Sequence, residues 1–384
     1  MISYATIIFL ISVPMISYAH NYTTFFMGRL FQGVGVGMIT IAVPLYLSEA
    51  MPTAMRGRGL VAFQLFLTIG IFAASWVNVL FAASQNWRDM FLTAGIPGVV
   101  MLLGCFVLLE SPVYLAMKGR FDRVKRVLSA TRSEKEAELE LQELQETLDM
   151  KNAVQSQNEA GIAQTLKLLG QKCYLYPVLL VCSIAILQQA LGINSFLQLG
   201  ATILHDVGLS SNVTAILGTT AITGMNLLLT IVAFAIVERF ERRQIVAFGL
   251  SIAMCSLFFL ALAYHFMPPG VQRGYMVLAG LVGFICGYAI GPGALVWALL
   301  SELLPTRLRS VFLGVALFLN SMTSTLLAGA FMWLVAHIGY SGIFIVCGTA
   351  AFIYLMVVLR YVPNVKGKTL EEIEMHFINK YKGA

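Results

Sequence analysis

The chain has 384 residues, of which 58% are hydrophobic and only 11% charged. Soluble domains carry about 25% charged residues, so this chain cannot clothe a water-facing surface and its solvent is largely lipid. The net charge of +6 does not mark a nucleic-acid binder, because the basic residues are confined to particular loops.

Ten apolar runs, each about 20 residues or more, cover residues 1–20, 25–48, 60–83, 90–109, 176–204, 213–237, 245–265, 274–300, 311–336 and 341–361. The runs are continuous rather than alternating, which predicts membrane-crossing helices and not barrel strands. With the start on the cytoplasmic side, the inside loops are 49–59, 110–175, 238–244, 301–310 and 360–384. All of the 25 Lys and Arg residues except Arg29, Arg88 and Arg273 fall in those loops. The positive-inside rule then places both termini in the cytoplasm. The basic excess is a topology signal that also suits anionic lipid. A multi-pass protein of a cell membrane is expected, monomeric and without a nucleic-acid partner.

The second run contains "GVGVG". Glycines at Gly33, Gly35 and Gly37 suggest a phosphate loop, but Met38 stands where the third fingerprint glycine belongs and no strand precedes it. The spacing of Gly28, Gly33 and Gly37 instead predicts a face that a neighbouring helix approaches closely. Beyond this run, "SEAMPTAMRG" from Ser48 recurs as "SELLPTRLRS" from Ser301, with Ser, Glu, Pro, Thr and Arg at the same offsets. Each follows a glycine-rich run, the second carrying Gly283, Gly287, Gly291 and Gly293. Same side and same order predict a parallel repeat of two related halves. Two runs precede the first pattern, whereas four separate the long loop from the second. The repeat therefore implies a twelve-helix design, of which this chain carries ten. The basic loop "ERFERRQ" at 238–244 would have its counterpart just before Met1.

The long inside loop is charged and helical in pattern. In "SEKEAELELQELQETLDM", Ser133 and Glu136 predict a capping box. The six cysteines lie in or beside the runs without C-x-x-C spacing, and read as small packing residues rather than metal ligands.

Together these patterns resemble the sugar porter family of the major facilitator superfamily. The carriers are "GRLFQGVGVG…PLYLSEAMPTAMRG", "LESPVYLAMKGR", "QQALGIN" at 188–194, "ERFERRQ", "GPGALVWALLSE" and "PNVKGKTLEEIE". "QQALGIN" matches the family's Q-Q-x-x-G-I-N fully. Departures include Glu238 and Glu241 in the basic loop, Ala294 at a proline position, and Asn364 and Val365 in the tail. The resemblance implies an all-α polytopic membrane protein, a major-facilitator-type two-half bundle with ten helices instead of twelve. Its parts would be an N-terminal half over 1–109, a cytoplasmic loop with short helices over 110–175, a C-terminal half over 176–361 and a tail over 362–384.

A sugar is a ring of hydroxyls with apolar faces, so its site needs fixed amides and an aromatic surface. Amides inside spans face a cavity or another helix. The candidates are Gln64, Asn78, Gln188, Gln189, Asn194, Gln198, Asn226 and Asn320, with Trp297 as the aromatic. The resemblance implies sugar contact for all of these except Asn78 and Gln198. Asn194 and Gln198 are four apart and share a helix face. Gly192 could let that helix bend so that Gln188 and Gln189 converge on the same cavity. Where the family has a tyrosine pair after Gly-Ile-Asn, this chain has Gln198 and Leu199, and Ser321 replaces a tryptophan. Either the solute is not a common hexose or affinity has relaxed.

Charged residues from both halves are expected at the inner face: Glu49, Arg56, Glu238, Arg239, Arg242, Arg243, Glu302 and Arg309. Opposite charges could pair there and part when the cavity opens inward. No Asp or Glu lies deep in any run, so proton coupling is left open. The expectation is a secondary transporter moving a sugar or similar polyhydroxylated solute, with no cofactor and no metal. Two alternatives stay open: a truncated, inactive fragment, and a sugar-binding membrane sensor. No H-E-x-x-H, G-x-S-x-G or in-span Asp pair points to an enzyme.

Overall fold

The computed structural model describes residues 1–51, 56–82, 84, 86–134, 136–142, 145, 172–206, 212–236, 240–268, 270–305, 308–363 and 375. Among them the secondary structure is helical, without strands. Among the described residues, eight helical stretches are long and apolar enough to cross a membrane, and a shorter apolar helix precedes them. Large apolar side chains point outward; Phe106 and Val107 are each 83% exposed. In water such exposure would be unfavourable, and against lipid tails it is ordinary. The protein is an integral, multi-pass membrane protein.

The chain forms two compact units, one of residues 1–63 and 81–164, the other of residues 64–80 and 165–384. In the first, α1 (Ile2–Ser17) lies along α2 (Tyr22–Ala50), joined by a turn that Asn21 caps through its side chain. The small residues between them are Gly28 and Gly35. A methyl on Gly28 would sit 2.7 Å from Ile16, and one on Gly35 would sit 3.0 Å from the backbone of Ala5 and Phe9. Gly33 and Gly37 meet nothing within 4 Å, which corrects the packing face read from the sequence. Residues 28 and 35 are seven apart, two full helical turns, whereas 33 and 37 point elsewhere. α3 (Arg56–Phe81) runs across both units, and α4 (Trp87–Thr93) and α5 (Gly95–Val107) complete the apolar part of the first.

Short helices α6 (Pro112–Met117) and α7 (Phe121–Thr131) follow. With Ala137 they enclose a small core of Leu115, Ala116, Val124 and Leu128. The helix through residues 136–142 starts as expected at Ser133, whose N–H donates to Glu136 at 3.2 Å. The reciprocal half differs: the Ser133 hydroxyl also donates to Glu136, at 2.7 Å, instead of accepting from a backbone N–H. Both bonds hold the Glu136 carboxyl below the usual carboxylate range.

The second unit contains α8 (Lys172–Ala190), α9 (Ile193–Asp206), α10 (Asn212–Ile236), α11 (Arg242–Phe266) and α12 (Val271–Tyr288). A π-helical segment, Ala289–Gly293, leads into α13 (Ala294–Leu303), and α14 (Arg309–Tyr361) ends the unit. Helices α11, α12 and α14 pack side by side, and α8 packs on α14. The glycines before Ser301 serve the close contact expected of them: a methyl on Gly287 would fall 2.4 Å from Ala253 N and 2.5 Å from Gly249 O. α14 is 53 residues long and breaks at Gly339, whose φ is 71°, between the two runs read at 311–336 and 341–361.

Candidate functional site

Of three breaks in helical geometry in the second unit, two shape its polar interior. The first separates α8 from α9. Gly192 has φ 82°, and an added Cβ would lie 3.1 Å from both Cys347 and Phe196. Only glycine suits that conformation and that space. The turn brings Gln188 and Gln189 from the end of α8 beside Asn194 at the start of α9. The second break is the π segment, where Pro292 lacks an N–H and its ring would crowd the Tyr288 carbonyl in a regular helix. It leaves Tyr288 before it and Trp297 after it. The third, at Gly339, lies far along α14 from Asn320 and Ser324.

A continuous chain of side-chain hydrogen bonds joins α8, α9, α12 and α14. Asn320 Nδ2 donates to the Ala185 carbonyl at 2.9 Å and to Gln188 Oε1 at 2.8 Å. Gln189 Nε2 donates to Asn320 Oδ1 at 3.0 Å. Asn194 Nδ2 donates to Gln189 Oε1 at 3.1 Å and to Ser324 Oγ at 2.8 Å. Gln188 Nε2 donates to the Tyr288 hydroxyl. The direction of the chain follows from one group. A backbone carbonyl only accepts, so Ala185 fixes Asn320 Nδ2 toward it, and each amide orientation then follows in turn.

That orientation determines what is left over. Gln188 and Gln189 each keep one amide hydrogen, Tyr288 and Ser324 each keep a hydroxyl hydrogen, and Asn194 keeps its Oδ1 acceptor. The cluster is therefore rich in donors and neutral. Gln188, Asn320 and Tyr288 are buried, while Gln189, Asn194 and Ser324 are half-buried and line its accessible side. Such an arrangement suits an uncharged ligand bearing several hydroxyl or ether oxygens.

Other sequence candidates stand apart from this chain. Trp297 Nε1 donates to Gln64 Oε1 at 3.0 Å, forming a separate pair. Asn226 is buried, and among the described residues its side chain has no hydrogen bond; its carbonyl accepts from Thr230 at 2.8 Å. Gln198 is exposed and does not join the chain, although it shares a helix face with Asn194. Asn78 is exposed as well. Sequence reading missed Tyr288 and Ser324. Ser324 had a usable signal, because it lies four residues after Asn320 on the same face. Tyr288 had a weaker one: a phenol in an apolar helix needs a partner for its hydroxyl.

Of the charges expected at the inner face, Arg242 pairs with Glu302, and Arg243 donates to the Leu359 carbonyl. Glu238 and Arg239 lie outside the described residues, and the side chains of Glu49, Arg56 and Arg309 are likewise not described.

Comparison with known proteins agrees with this architecture. The family model for "Sugar (and other) transporter" matches residues 1–377. The chain is 30% identical to the probable metabolite transport protein CsbC of Bacillus subtilis, over 98% of this chain and 79% of that one. It is 29% identical to the glucose transporter GlcP of Staphylococcus epidermidis, over 96% and 80%. It is 28% identical to the galactose-proton symporter of Escherichia coli K12, over 95% and 76%. Among solved structures it resembles the proton:xylose symporter XylE bound to 6-bromo-6-deoxy-D-glucose, with TM-score 0.82, 23% identity and coverage of 98% and 82%. A partially occluded inward-open form of XylE from E. coli gives TM-score 0.78 at 22% identity, over 96% and 81%. At that identity the solved structures establish the fold, and the family match over nearly the whole length establishes the rest: this chain belongs to the "Sugar (and other) transporter" family, and is a transport protein rather than an enzyme.

Proposed function

We propose that the protein carries a sugar or similar polyhydroxylated, uncharged solute across the membrane, with the amide cluster around Gly192 as its binding site. The observation that carries this reading is the oriented hydrogen-bond chain from Tyr288 through Gln188, Asn320, Gln189 and Asn194 to Ser324. Its spare donors face oxygen-rich ligands and offer no charge to bind ions. Trp297, with its indole N–H held by Gln64, supplies the apolar plate against which a sugar ring lies. Asn226, buried and without a side-chain hydrogen bond among the described residues, adds a further amide for the solute, and Gln198 a second-tier contact along α9. Alternating access follows from two related halves, with both termini in the cytoplasm as the basic loops indicate. Arg242–Glu302 is one pair of an inner charge network that opens when the site faces inward, and Glu49, Arg56, Glu238, Arg239, Arg243 and Arg309 are its further members. Proton coupling is supported by the relatives named as proton symporters.

Radiolabelled solute uptake into proteoliposomes tests the reading. Saturable uptake that Gln188→Ala with Asn194→Ala abolishes is expected. A rise on imposing an inward proton gradient, lost on adding an uncoupler, would show symport. Unchanged uptake in the double variant would overturn the site.

A further inference from the structure

We propose that Tyr340 is a positioning residue for the solute site: its hydroxyl latches the far end of α9 and thereby governs how readily that half-helix swings on the Gly192 hinge. α9 is separated from α8 by the left-handed turn at Gly192, φ 82°. It carries Asn194 near one end and Asp206 at the other, twelve residues and about 18 Å further on. Between them, Phe196 sits among Phe284, Phe331 and Phe344, with ring centroids 5.3, 5.9 and 5.5 Å away. Apolar ring contacts hold a position without fixing a direction, so Phe196 is a pivot. The remote end is held differently. The Tyr340 hydroxyl donates to Asp206 Oδ2 at 2.7 Å, a short, charge-assisted bond that demands one orientation.

Tyr340 is itself placed to act as an anchor. It follows the break at Gly339, φ 71°, and its ring lies 5.2 Å from that of Tyr264. Tyr264 in turn lies under the Arg273 guanidinium at 4.8 Å and against Phe344 at 5.7 Å. The phenol is thus braced on one side while its hydroxyl reaches α9. Tyr264 provides an internal control, because its own buried hydroxyl has no hydrogen-bond partner among the described residues. A helix hinged at one end, pivoted on a ring and held at the other through an oriented bond moves more readily when that bond breaks. Asn194 moves with it, because it belongs to the same rigid segment.

Hydrogen exchange read by mass spectrometry on the full chain in lipid nanodiscs tests this without any solute. A net hydrogen bond to a charged group shifts an opening equilibrium by about ten- to a hundredfold. Tyr340→Phe keeps the ring and is expected to speed exchange across 193–206 by that factor, leaving 172–190 unchanged. Tyr264→Phe is expected to change neither. Equal exchange over 193–206 in Tyr340→Phe and the unaltered protein would overturn the latch, as would an equal increase in Tyr264→Phe. If Tyr340→Phe speeds exchange in every helix, Asp206→Asn decides: a selective rise over 193–206 supports the latch, and anything else overturns it. The transport consequence rests on the proposed solute site and is read separately. Tyr340→Phe is expected to change the KM for solute more than the maximal rate. If α9 is freed yet no form of the protein moves solute, the latch stands and the solute reading falls.

Discussion

Asn320→Leu is the substitution whose effect follows most directly from the geometry. Asn320 is buried and makes three side-chain hydrogen bonds, to Ala185 O, Gln188 Oε1 and Gln189 Nε2, at 2.9, 2.8 and 3.0 Å. Leucine keeps nearly the same volume and supplies none of them. Gln188 is 4% exposed, so its orphaned Oε1 cannot turn to water, and an unpaired buried acceptor costs about 1–3 kcal/mol. Gln189 is half-buried and rehydrates, so its loss is nearer the about 0.6 kcal/mol average for interhelical bonds in membranes. The sum is about 2.6 kcal/mol, or roughly 80-fold in the unfolding equilibrium. Freed of Asn320, both glutamines can rotate, and solute binding should weaken by about tenfold. Reversible unfolding in bicelles and equilibrium binding of radiolabelled solute measure the two effects, with the exposed Phe318→Leu as control. A stability loss under about 0.5 kcal/mol together with unchanged affinity would refute the oriented chain.

Three further outcomes follow from the packing. Gly287→Ala should abolish folded protein on size-exclusion chromatography, because the new methyl meets backbone at 2.4 Å; Gly37→Ala, in open space, should be neutral or raise the melting temperature slightly. Glu140→Ala should loosen the short-helix core, since Arg132, with its side chain 1% exposed, pairs with Glu140 at 2.6 Å and would lose a partner for its buried charge; limited proteolysis between residues 110 and 142 should accelerate. Glu136 has its carboxyl lowered by the Ser133 bonds from an ordinary value of 4.5. A depressed folded-state value means that its contribution is complete above about pH 4.5 and declines as pH falls through the lower folded-state value. Helicity of this segment should therefore drop in acid, and Ser133→Ala should weaken that dependence, removing the hydroxyl bond while the backbone N–H bond stays; circular dichroism across pH 3–7 checks it.

How far the sequence foretold the site can be traced residue by residue. The Gly192 bend and the meeting of Gln188, Gln189 and Asn194 were legible, because a glycine between amides in an apolar run has few other uses. The glycine face of α2 was not, since small residues mark a helix as packable without saying which side the neighbour takes. Gln198 shares the face of Asn194 yet is exposed and outside the hydrogen-bond chain, because a shared face four residues on places a side chain in direction but not in depth. Tyr288 escaped notice because an aromatic residue in an apolar run looks like packing, and its partner is 100 residues away in sequence. Both members of the Arg242–Glu302 ion pair were marked as charges at span ends, but pairing was expected between the two halves and this pair lies within the C-terminal one.

The most direct test of the account is counterflow in proteoliposomes, which needs no driving gradient and reports binding and translocation together. Vesicles preloaded with unlabelled glucose, galactose, xylose or myo-inositol would be diluted into the same labelled solute, with the unaltered protein and Asn194→Leu side by side. The account expects a transient overshoot of label for at least one of these solutes, and its loss in Asn194→Leu. An overshoot of equal size in Asn194→Leu, or none for any solute with folded protein in the membrane, would contradict it.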